Sequence, residues 1–356
     1  MPPKSKFFYD FDSALKHLAG ETRLASAALN ALSGATRKNL AAFARTWVVL
    51  PAERRRSVTK LMVELAEANV ELDFNLLYRY LLDDEDPEVR ASAIEGLWED
   101  EDAALVKPFV GFLRSDPDAR VRAAAADSLG RFMLLAEYGR LPESPHANLI
   151  YEALLATIRG TAEELNVRRH AVEAVAYSSR DQVRDVIAAA YADEDPQMRA
   201  SAVAAMGRSA DPYWRKIAVD ELESLDPRMR FEAVRALGEL EYRAAVPQLI
   251  DLLEDPDREV QMAVITALGQ IGGNAAKQAL ANAAESDDEV LHELADEALQ
   301  ELRFSGDPNL LLFDLDVDEE LVEDEDDADE ESVEDEDDAD KGLVEDEDDM
   351  DPVDAS

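Results

Sequence analysis

The sequence of 356 residues contains no cysteine and no long apolar run. Without cysteine there is no disulfide framework, no CxxC zinc site and no thiol nucleophile. No stretch of 18 apolar residues is present, which argues against a membrane-spanning helix. The amino terminus, MPPKSKFFYDFDS, also lacks the apolar core of a signal peptide. We therefore expect a soluble cytoplasmic protein with no membrane partner.

Positive charge is scarce as well, because 36 Lys and Arg face 80 Asp and Glu, for a net charge of −44. A surface this acidic repels phosphate backbones, so we expect no nucleic-acid partner. Residues 314–356 hold 26 acids and a single base, Lys341, which leaves −19 for the rest of the chain. Such a density of like charge, with few apolar residues, does not offset the entropy of ordering. We predict that residues 314–356 form a disordered acidic tail.

What the sequence does contain is an internal repeat. Copies resembling V-R-x-x-A-x-x-A-L-G begin at intervals of 32, 46, 31, 31, 31 and 30 residues. They start at Val89, Val121, Val167, Met198, Met229, Val260 and Val290. Positions 0, +4/+5 and +8 of each copy are apolar, which is the stripe of an amphipathic helix. A second amphipathic stretch lies between successive copies, so each unit is a helical hairpin of about 31 residues that must stack on its neighbours. The long interval contains Tyr138 to Asn148, where two prolines predict a loop.

Asp-Pro precedes most of these helices, and a glycine stands at position +9 of four of them. Asp accepts hydrogen bonds from the free N–H groups of a first turn, and Pro fits that turn without loss. The dipeptides are Asp86-Pro87, Asp116-Pro117, Asp195-Pro196, Asp226-Pro227 and Asp255-Pro256. The glycines Gly130, Gly207, Gly238 and Gly269 either turn the chain or allow close packing.

With its L-x-x-L-L-x-D ahead of the V-R helix, this pattern resembles HEAT repeats, particularly the short type shared with phycobilisome-lyase-like proteins. The resemblance covers about residues 74–302 and implies an all-α, right-handed α-solenoid of HEAT/armadillo-like hairpins. It also implies a ladder between neighbours, in which an Asp six residues before the Arg takes part. Asp84 and Arg90, Asp116 and Arg122, and Asp193 and Arg199 fit this ladder. Ala162 and Ser224 replace the Asp before Arg168 and Arg230, and Gln261 and Leu291 replace the Arg, so we expect gaps there.

The resulting organisation has four parts. Residues 1–73 are more divergent and form a helical N-terminal cap, since terminal repeats shield the exposed end of a core. Residues 74–304 form the repeat array, residues 305–313 are a linker or C-terminal cap segment, and residues 314–356 are the tail. We expect the run Arg54-Arg55-Arg56 to be a solvated helix start, with an anion or partner contact as the alternative.

The resemblance places the V-R helices on the concave side, where positions +2, +6 and +10 face a partner. These positions hold Arg131, Arg169, Arg208, Phe231, Arg235 and Met262. Arg and aromatic residues are frequent interface anchors. The alternative is that these arginines balance nearby acids such as Asp127, Glu173 and Glu239.

Signals for chemistry are weak. In HELAD, His292 and Asp296 stand four residues apart, as in the zinc-binding HExxH, but no third ligand is evident. We therefore expect no metal site, no cofactor and no catalytic residue.

The expected function is a non-catalytic scaffold or adaptor that binds a protein or peptide on the concave face. The acidic tail either folds back on the stripe formed by Arg131, Arg169, Arg208 and Arg235, or attracts basic proteins. The alternative is an enzyme or enzyme subunit related to bilin lyases or to deoxyhypusine hydroxylase. His292-Glu293 is the single His-Glu dipeptide in the chain, whereas the hydroxylase family needs several.

Overall fold

The computed structural model describes residues 9–20, 22–141 and 146–305. Within these ranges the chain is built from α-helices, joined by turns and short 3-10 segments, and contains no β-strand. The predicted linker at 305–313 falls outside them except for Ser305, and the predicted tail at 314–356 lies wholly outside the described residues. The first four helices are α1 (Phe11–Ala19), α2 (Ser26–Asn30), α3 (Arg37–Trp47) and α4 (Ala52–Ala68).

Seven helical hairpins follow, and the second helix of each carries one of the seven sequence copies. We call the first helix of each hairpin the A helix and the second the B helix. The A helices are α5 (Asn75–Leu81), α7 (Val106–Ser115), α9 (His146–Arg159), α11 (Gln182–Tyr191), α13 (Arg215–Glu221), α15 (Val246–Asp251) and α17 (Asn274–Ala283). The B helices are α6 (Pro87–Gly96), α8 (Ala119–Glu137), α10 (Leu165–Val175), α12 (Pro196–Arg208), α14 (Pro227–Glu239), α16 (Arg258–Ile271) and α18 (Glu289–Ser305). The predicted all-α stack of hairpins is confirmed.

Aspartate caps five of the B helices, although not always the predicted aspartate. Asp86, Asp195 and Asp226 are N-caps with Pro in the first turn, as expected. In α8 and α16 the cap is Asp118 or Asp257, two residues after the predicted Asp. The prediction is wrong for these two helices because the cap stands three residues before the anchor in each case, whereas Asp116 and Asp255 stand five residues before it and bind an arginine of the preceding hairpin.

Small residues hold the B helices close together. A Cβ placed on Gly130 would lie 3.0 Å from Ala174 Cα in the next B helix, and one on Gly207 would lie 2.7 Å from Ala236 Cα. Gly238 against Ala267 and Gly269 against Ala298 repeat the arrangement. These glycines therefore serve close packing. The B helices touch one another in an unbroken row from α4 to α18, more extensively than the A helices do. Closer packing on one side curves a solenoid toward that side, so we expect the B row to be concave.

The run Arg54-Arg55-Arg56 at the start of α4 connects the N-terminal helices to the B row. Helix α4 packs against α6 as a further member of the B row. Arg54 donates to the backbone carbonyls of His17, Leu18 and Thr22 in the segment before it. Arg55 is only 8% exposed, and Arg56 binds Asp86 of the next hairpin. The expectation that Arg54 to Arg56 form a solvated helix start is therefore wrong.

A single apolar core runs between the two rows of helices. Trp47, Phe74, Tyr78, Phe109 and Trp214 are among its largest side chains, and each is 2% exposed or less. The predicted loop from Tyr138 to Asn148 is shorter than expected, because α9 begins at His146. No helix in the described part of the chain is both long and apolar enough to span a membrane.

Candidate functional site

An arginine near the start of most B helices connects successive hairpins. Arg90 donates to the backbone carbonyl of Asp84 in its own hairpin, at 2.8 Å. Its guanidinium also makes two hydrogen bonds to the carboxylate of Asp116 in the next hairpin, at 2.9 and 3.0 Å. The carboxylate of Asp84 itself binds Arg55 from the preceding helix and the indole of Trp47. Each rung therefore joins an arginine to the acid of the following unit.

Because each arginine binds the acid of the following hairpin, the rungs form at other positions than expected. Arg230 binds Asp255 through two hydrogen bonds at 2.7 and 2.8 Å, although a gap was expected there. Arg122 binds Glu163, which stands next to Ala162 and replaces the missing Asp. Arg168 lies 4.0 Å from Asp193.

The gap falls instead after α12. Arg199 donates to the carbonyls of Asp193 and Glu194, at 3.0 and 2.9 Å. In the next hairpin, Ser224 stands at the position where an acid would bind this arginine. The interruption expected at Ser224 is therefore present, but the arginine that lacks its acid is Arg199 of the preceding hairpin and not Arg230. The gap expected at Ala162 is closed by Glu163. Gln261, which replaces an arginine as expected, donates to the carbonyl of Asp255 in its own hairpin.

We define the B face as the solvent side of the B helices, formed by positions +2, +6 and +10 after each anchor residue. Two of its arginines bind backbone and neutral groups rather than acids. Arg131 donates to the carbonyls of Leu97 and Asp100 at 2.8 and 3.3 Å, and burial lowers its pKa. Arg169 donates to the carbonyl of Gln197 and the hydroxyl of Ser201. Both arginines thus attach one B helix to the neighbouring hairpin.

The other two arginines are paired with acids of the B face. Arg208 lies 3.0 Å from Glu173 and above the ring of Tyr177. Arg235 lies 3.2 Å from Glu232 and 3.5 Å from Glu239, above the ring of Phe231. These contacts favour the alternative in which the arginines balance nearby acids.

The acids of this region outnumber the arginines. We call Asp127, His170, Glu173, Arg208, Glu232, Arg235 and Glu239 the central cluster. It contains four carboxylates, two guanidinium groups and one imidazole. Burial raises the pKa of Glu232 and of Glu239, and Arg235 and Arg208 offset that effect only in part. His170 Nδ1 lies 3.9 Å from Asp127 Oδ1 and lowers the pKa of Asp127. The cluster is therefore short of positive charge.

Two cavities adjoin the central cluster and share the half-buried side chain of Phe231. The first measures about 380 Å³ and lies between α12, α14 and the start of α16, with Arg169, Ala200 and Glu232 in its wall. The second measures about 370 Å³ and lies between α14, α16 and α18, with Met262, Leu294 and Glu239 in its wall. Glu259 also borders both. The structure thus brings Phe231, Arg235 and Met262 together, while Arg131 stands apart from this pair of cavities.

The contacts of His292 in the HELAD segment stay within α18 and the turn that precedes it. His292 lies 3.5 Å from Asp296 and contacts the carbonyl of Ala284 through Nδ1. Among residues 9–20, 22–141 and 146–305, no three His, Asp or Glu side chains stand close enough to hold a metal ion.

Comparison with known proteins identifies the repeats. Residues 75–142 and 215–300 match the family model described as HEAT repeats. None of the curated proteins matches the chain. Among solved structures, E. coli YibA is 18% identical, covering 80% of this chain and 100% of its own, with a TM-score of 0.41. The CpcE–CpcF complex of phycocyanin lyase from Nostoc sp. is 16% identical, covering 79% and 97%, with a TM-score of 0.48. Human deoxyhypusine hydroxylase is 17% identical, covering 83% and 96%, with a TM-score of 0.33. These likenesses carry no inference about function. The two matched segments consist of hairpins joined by arginine rungs, so this chain contains HEAT repeats at residues 75–142 and 215–300.

Proposed function

We propose that this protein is a non-catalytic scaffold whose B face binds a protein segment containing a basic residue beside an apolar one. The observation that carries the proposal is the position of Phe231, half-buried between two cavities and bordered by acids in excess of arginines. A half-buried aromatic side chain at the edge of a cavity is a typical interface anchor.

The charge of the expected partner follows from the central cluster. A Lys or Arg placed beside Glu232 and Glu239 supplies the positive charge that Arg235 and Arg208 provide only in part. An acidic segment, the partner suggested by the arginines alone, meets guanidinium groups that already bind Glu173, Glu232 and Glu239. Charge complementarity therefore favours a basic partner.

The apolar part of the partner segment is expected to contact Phe231 and Met262. Both border the 370 Å³ cavity, and Leu294 of α18 forms part of the same wall. Such a cavity accommodates one apolar side chain, while the acids on its rim fix the register of the basic residue. The proposed specificity thus needs both features in one segment.

Binding of synthetic peptides to the full-length chain tests this proposal. The probe is a short peptide of Lys, Arg and Leu, compared with one in which Ala replaces Leu and one in which Glu replaces the bases. We expect Phe231→Ala to weaken binding of the first peptide about tenfold, the equivalent of about 1.4 kcal/mol. Leu225→Ala removes a 99% exposed apolar residue away from both cavities and is the control. Equal affinity of Phe231→Ala and the wild type would contradict the proposal.

The acidic tail is expected to strengthen binding of basic partners by long-range attraction, which salt screens. Deletion of residues 314–356 should therefore weaken binding of the basic peptide at low salt, equally in the wild type and in Phe231→Ala. The hypothesis that the tail folds back on Arg131, Arg169, Arg208 and Arg235 predicts a different result. In that case deletion tightens binding of the acidic peptide.

An enzymatic role is open to direct test. Metal analysis of the purified protein and an absorption spectrum after mixing with a bilin should both be negative for a scaffold. A stoichiometric metal or a bound bilin would contradict the non-catalytic assignment.

A further inference from the structure

A third cavity lies at the turns that connect B helices to the following A helices. It measures about 340 Å³ and is formed by the turn after α10, the first half of α11 and the turn after α12. None of the residues that border the two B-face cavities takes part in it. It is therefore a separate feature, which the proposed binding of a protein segment does not use.

Two buried polar side chains border this cavity without a partner. Trp214 is 1% exposed and Ser178 is 4% exposed. Within the described part of the chain, neither the indole Nε1 of Trp214 nor the hydroxyl of Ser178 makes a hydrogen bond. A buried donor without an acceptor costs free energy, and an indole N–H can only donate. The cavity that both side chains border is where the missing acceptor belongs.

Four charged side chains border the same cavity, namely Arg180, Asp181, Arg184 and Asp211. Arg184 donates twice to the same carboxylate oxygen of Asp211, at 2.7 and 2.9 Å, so these two charges are matched. Arg180 stacks on the ring of Tyr151, with its Cζ atom 4.1 Å from the ring centroid, and donates to Asn148. In the described residues no acid forms an ion pair with Arg180, and Asp181, the other acid in the wall, forms none either. The stacked guanidinium of Arg180 is thus positioned by neutral groups and keeps its charge available.

We propose that this cavity binds a small molecule through an anionic oxygen group, with Trp214 Nε1 and Ser178 Oγ as donors and Arg180 as the nearby cation. Charge-assisted hydrogen bonds of this kind are among the stronger ones in proteins. The volume lies at the lower end of the range for small-molecule sites, which suits a compact ligand. A carboxylate and a phosphate present the same oxygen chemistry, and the choice between them is left to experiment.

Proton–nitrogen NMR spectra of the full-length, ¹⁵N-labelled protein provide the test. The chain has three tryptophans, so three indole N–H signals are expected, and Trp214→Phe identifies the one from Trp214. Acetate, succinate and inorganic phosphate are titrated separately, with chloride at equal ionic strength as the reference. We expect a saturable shift of the Trp214 signal with succinate or with phosphate, and no saturable shift of the Trp47 and Trp98 signals.

Substitutions of the two proposed donors distinguish an anion-binding site from a cavity that holds only water. Ser178→Ala should weaken the saturable binding at least tenfold, and Trp214→Phe should abolish the ligand-induced rise in melting temperature. Trp98→Phe, at a 43% exposed position outside the cavity, is the matched control and should bind as the wild type does. The proposal is wrong if the Trp214 signal responds to none of the three anions beyond the chloride reference. It is equally wrong if Ser178→Ala binds them as the wild type does.

Discussion

Two neighbouring junctions of the array share two kinds of contact and differ in a third. At both, an arginine donates to backbone carbonyls of its own hairpin, and a glycine of one B helix meets an alanine of the next. Between α14 and α16 the arginine also binds Asp255, whereas between α12 and α14 the corresponding residue is Ser224. The stack thus continues without the rung. Close backbone packing sets the spacing of the helices, and the rung adds a buried ion pair to it.

The largest expected effect comes from breaking the rung between α14 and α16. Asp255→Ala leaves the guanidinium of Arg230, 12% exposed, without its carboxylate. Losing one partner of a buried ion pair costs about 3–5 kcal/mol. Urea denaturation followed by circular dichroism should therefore show a large loss of stability. Ser224→Ala is the control at the equivalent position and should change stability by less than about 0.5 kcal/mol. Similar losses for both variants would show that the rung is unimportant.

The next effect concerns the contact that both junctions share. Gly207→Ala places a Cβ 2.7 Å from Ala236 Cα, and separating the helices should cost about 1–3 kcal/mol. Gly238→Ala meets Ala267 Cα at 3.1 Å and should cost less. A Cβ placed on Gly111 of the A helix α7 would meet no atom within 4 Å, so Gly111→Ala should instead stabilise by about 0.5–1 kcal/mol. The opposite sign, measured by thermal and urea unfolding, distinguishes B-row packing from helix propensity.

A smaller gain is expected from building the absent rung. Ser224→Asp places a carboxylate at the position equivalent to Asp255, opposite Arg199, and should stabilise by up to about 1 kcal/mol. The pKa of the new carboxyl is expected to be lowered by the arginine. The gain should then persist at neutral pH and disappear as the pH falls through that lowered pKa. Ser224→Asn, which has a similar shape but no charge, should give no such pH-dependent gain.

The smallest effect concerns Glu239 and Gln270, which occupy equivalent positions at the two junctions. The side chain of each contacts the glycine of the preceding B helix. Burial raises the pKa of Glu239, so its charged form destabilises the fold, and stability is regained as the pH falls through that raised pKa. Glu239→Gln should therefore be slightly more stable than the wild type at pH 7, by less than about 1 kcal/mol. The difference should vanish near pH 4, and a difference that grows on acidification would contradict this assignment.

Much of the fold was predictable because its signals are local. The spacing of apolar residues around Val89 or Met229 marks a helix, and Asp with Pro marks its start, whatever the neighbouring hairpins do. The exceptions at Asp116 and Asp255 arise where two aspartates stand two residues apart. In both pairs the Asp three residues before the anchor caps the helix, and the Asp five residues before it binds the arginine. The prediction chose the Asp that precedes Pro and so misplaced the cap by two residues.

The candidate site was less predictable. Arg208 and Arg235 were predicted either to bind a partner or to balance nearby acids, and both are paired with acids that the second alternative named, Glu173 and Glu239. Glu232, at position +3, was not among the predicted site residues, although its pKa is raised within the central cluster. The excess of acids in the central cluster becomes visible only when the four B helices α8, α10, α12 and α14 are placed side by side.

The sequence alone determined the repeating hairpin, the caps of α6, α12 and α14 and the glycines at position +9, since each depends on residues within one unit. The tertiary structure decided which acid each arginine meets, how charge is balanced on the B face, and that Ser178 and Trp214 share one cavity. The physical reason is distance along the chain. The partners of a rung such as Arg90 and Asp116 are 26 residues apart, and stacking geometry decides whether two such side chains meet.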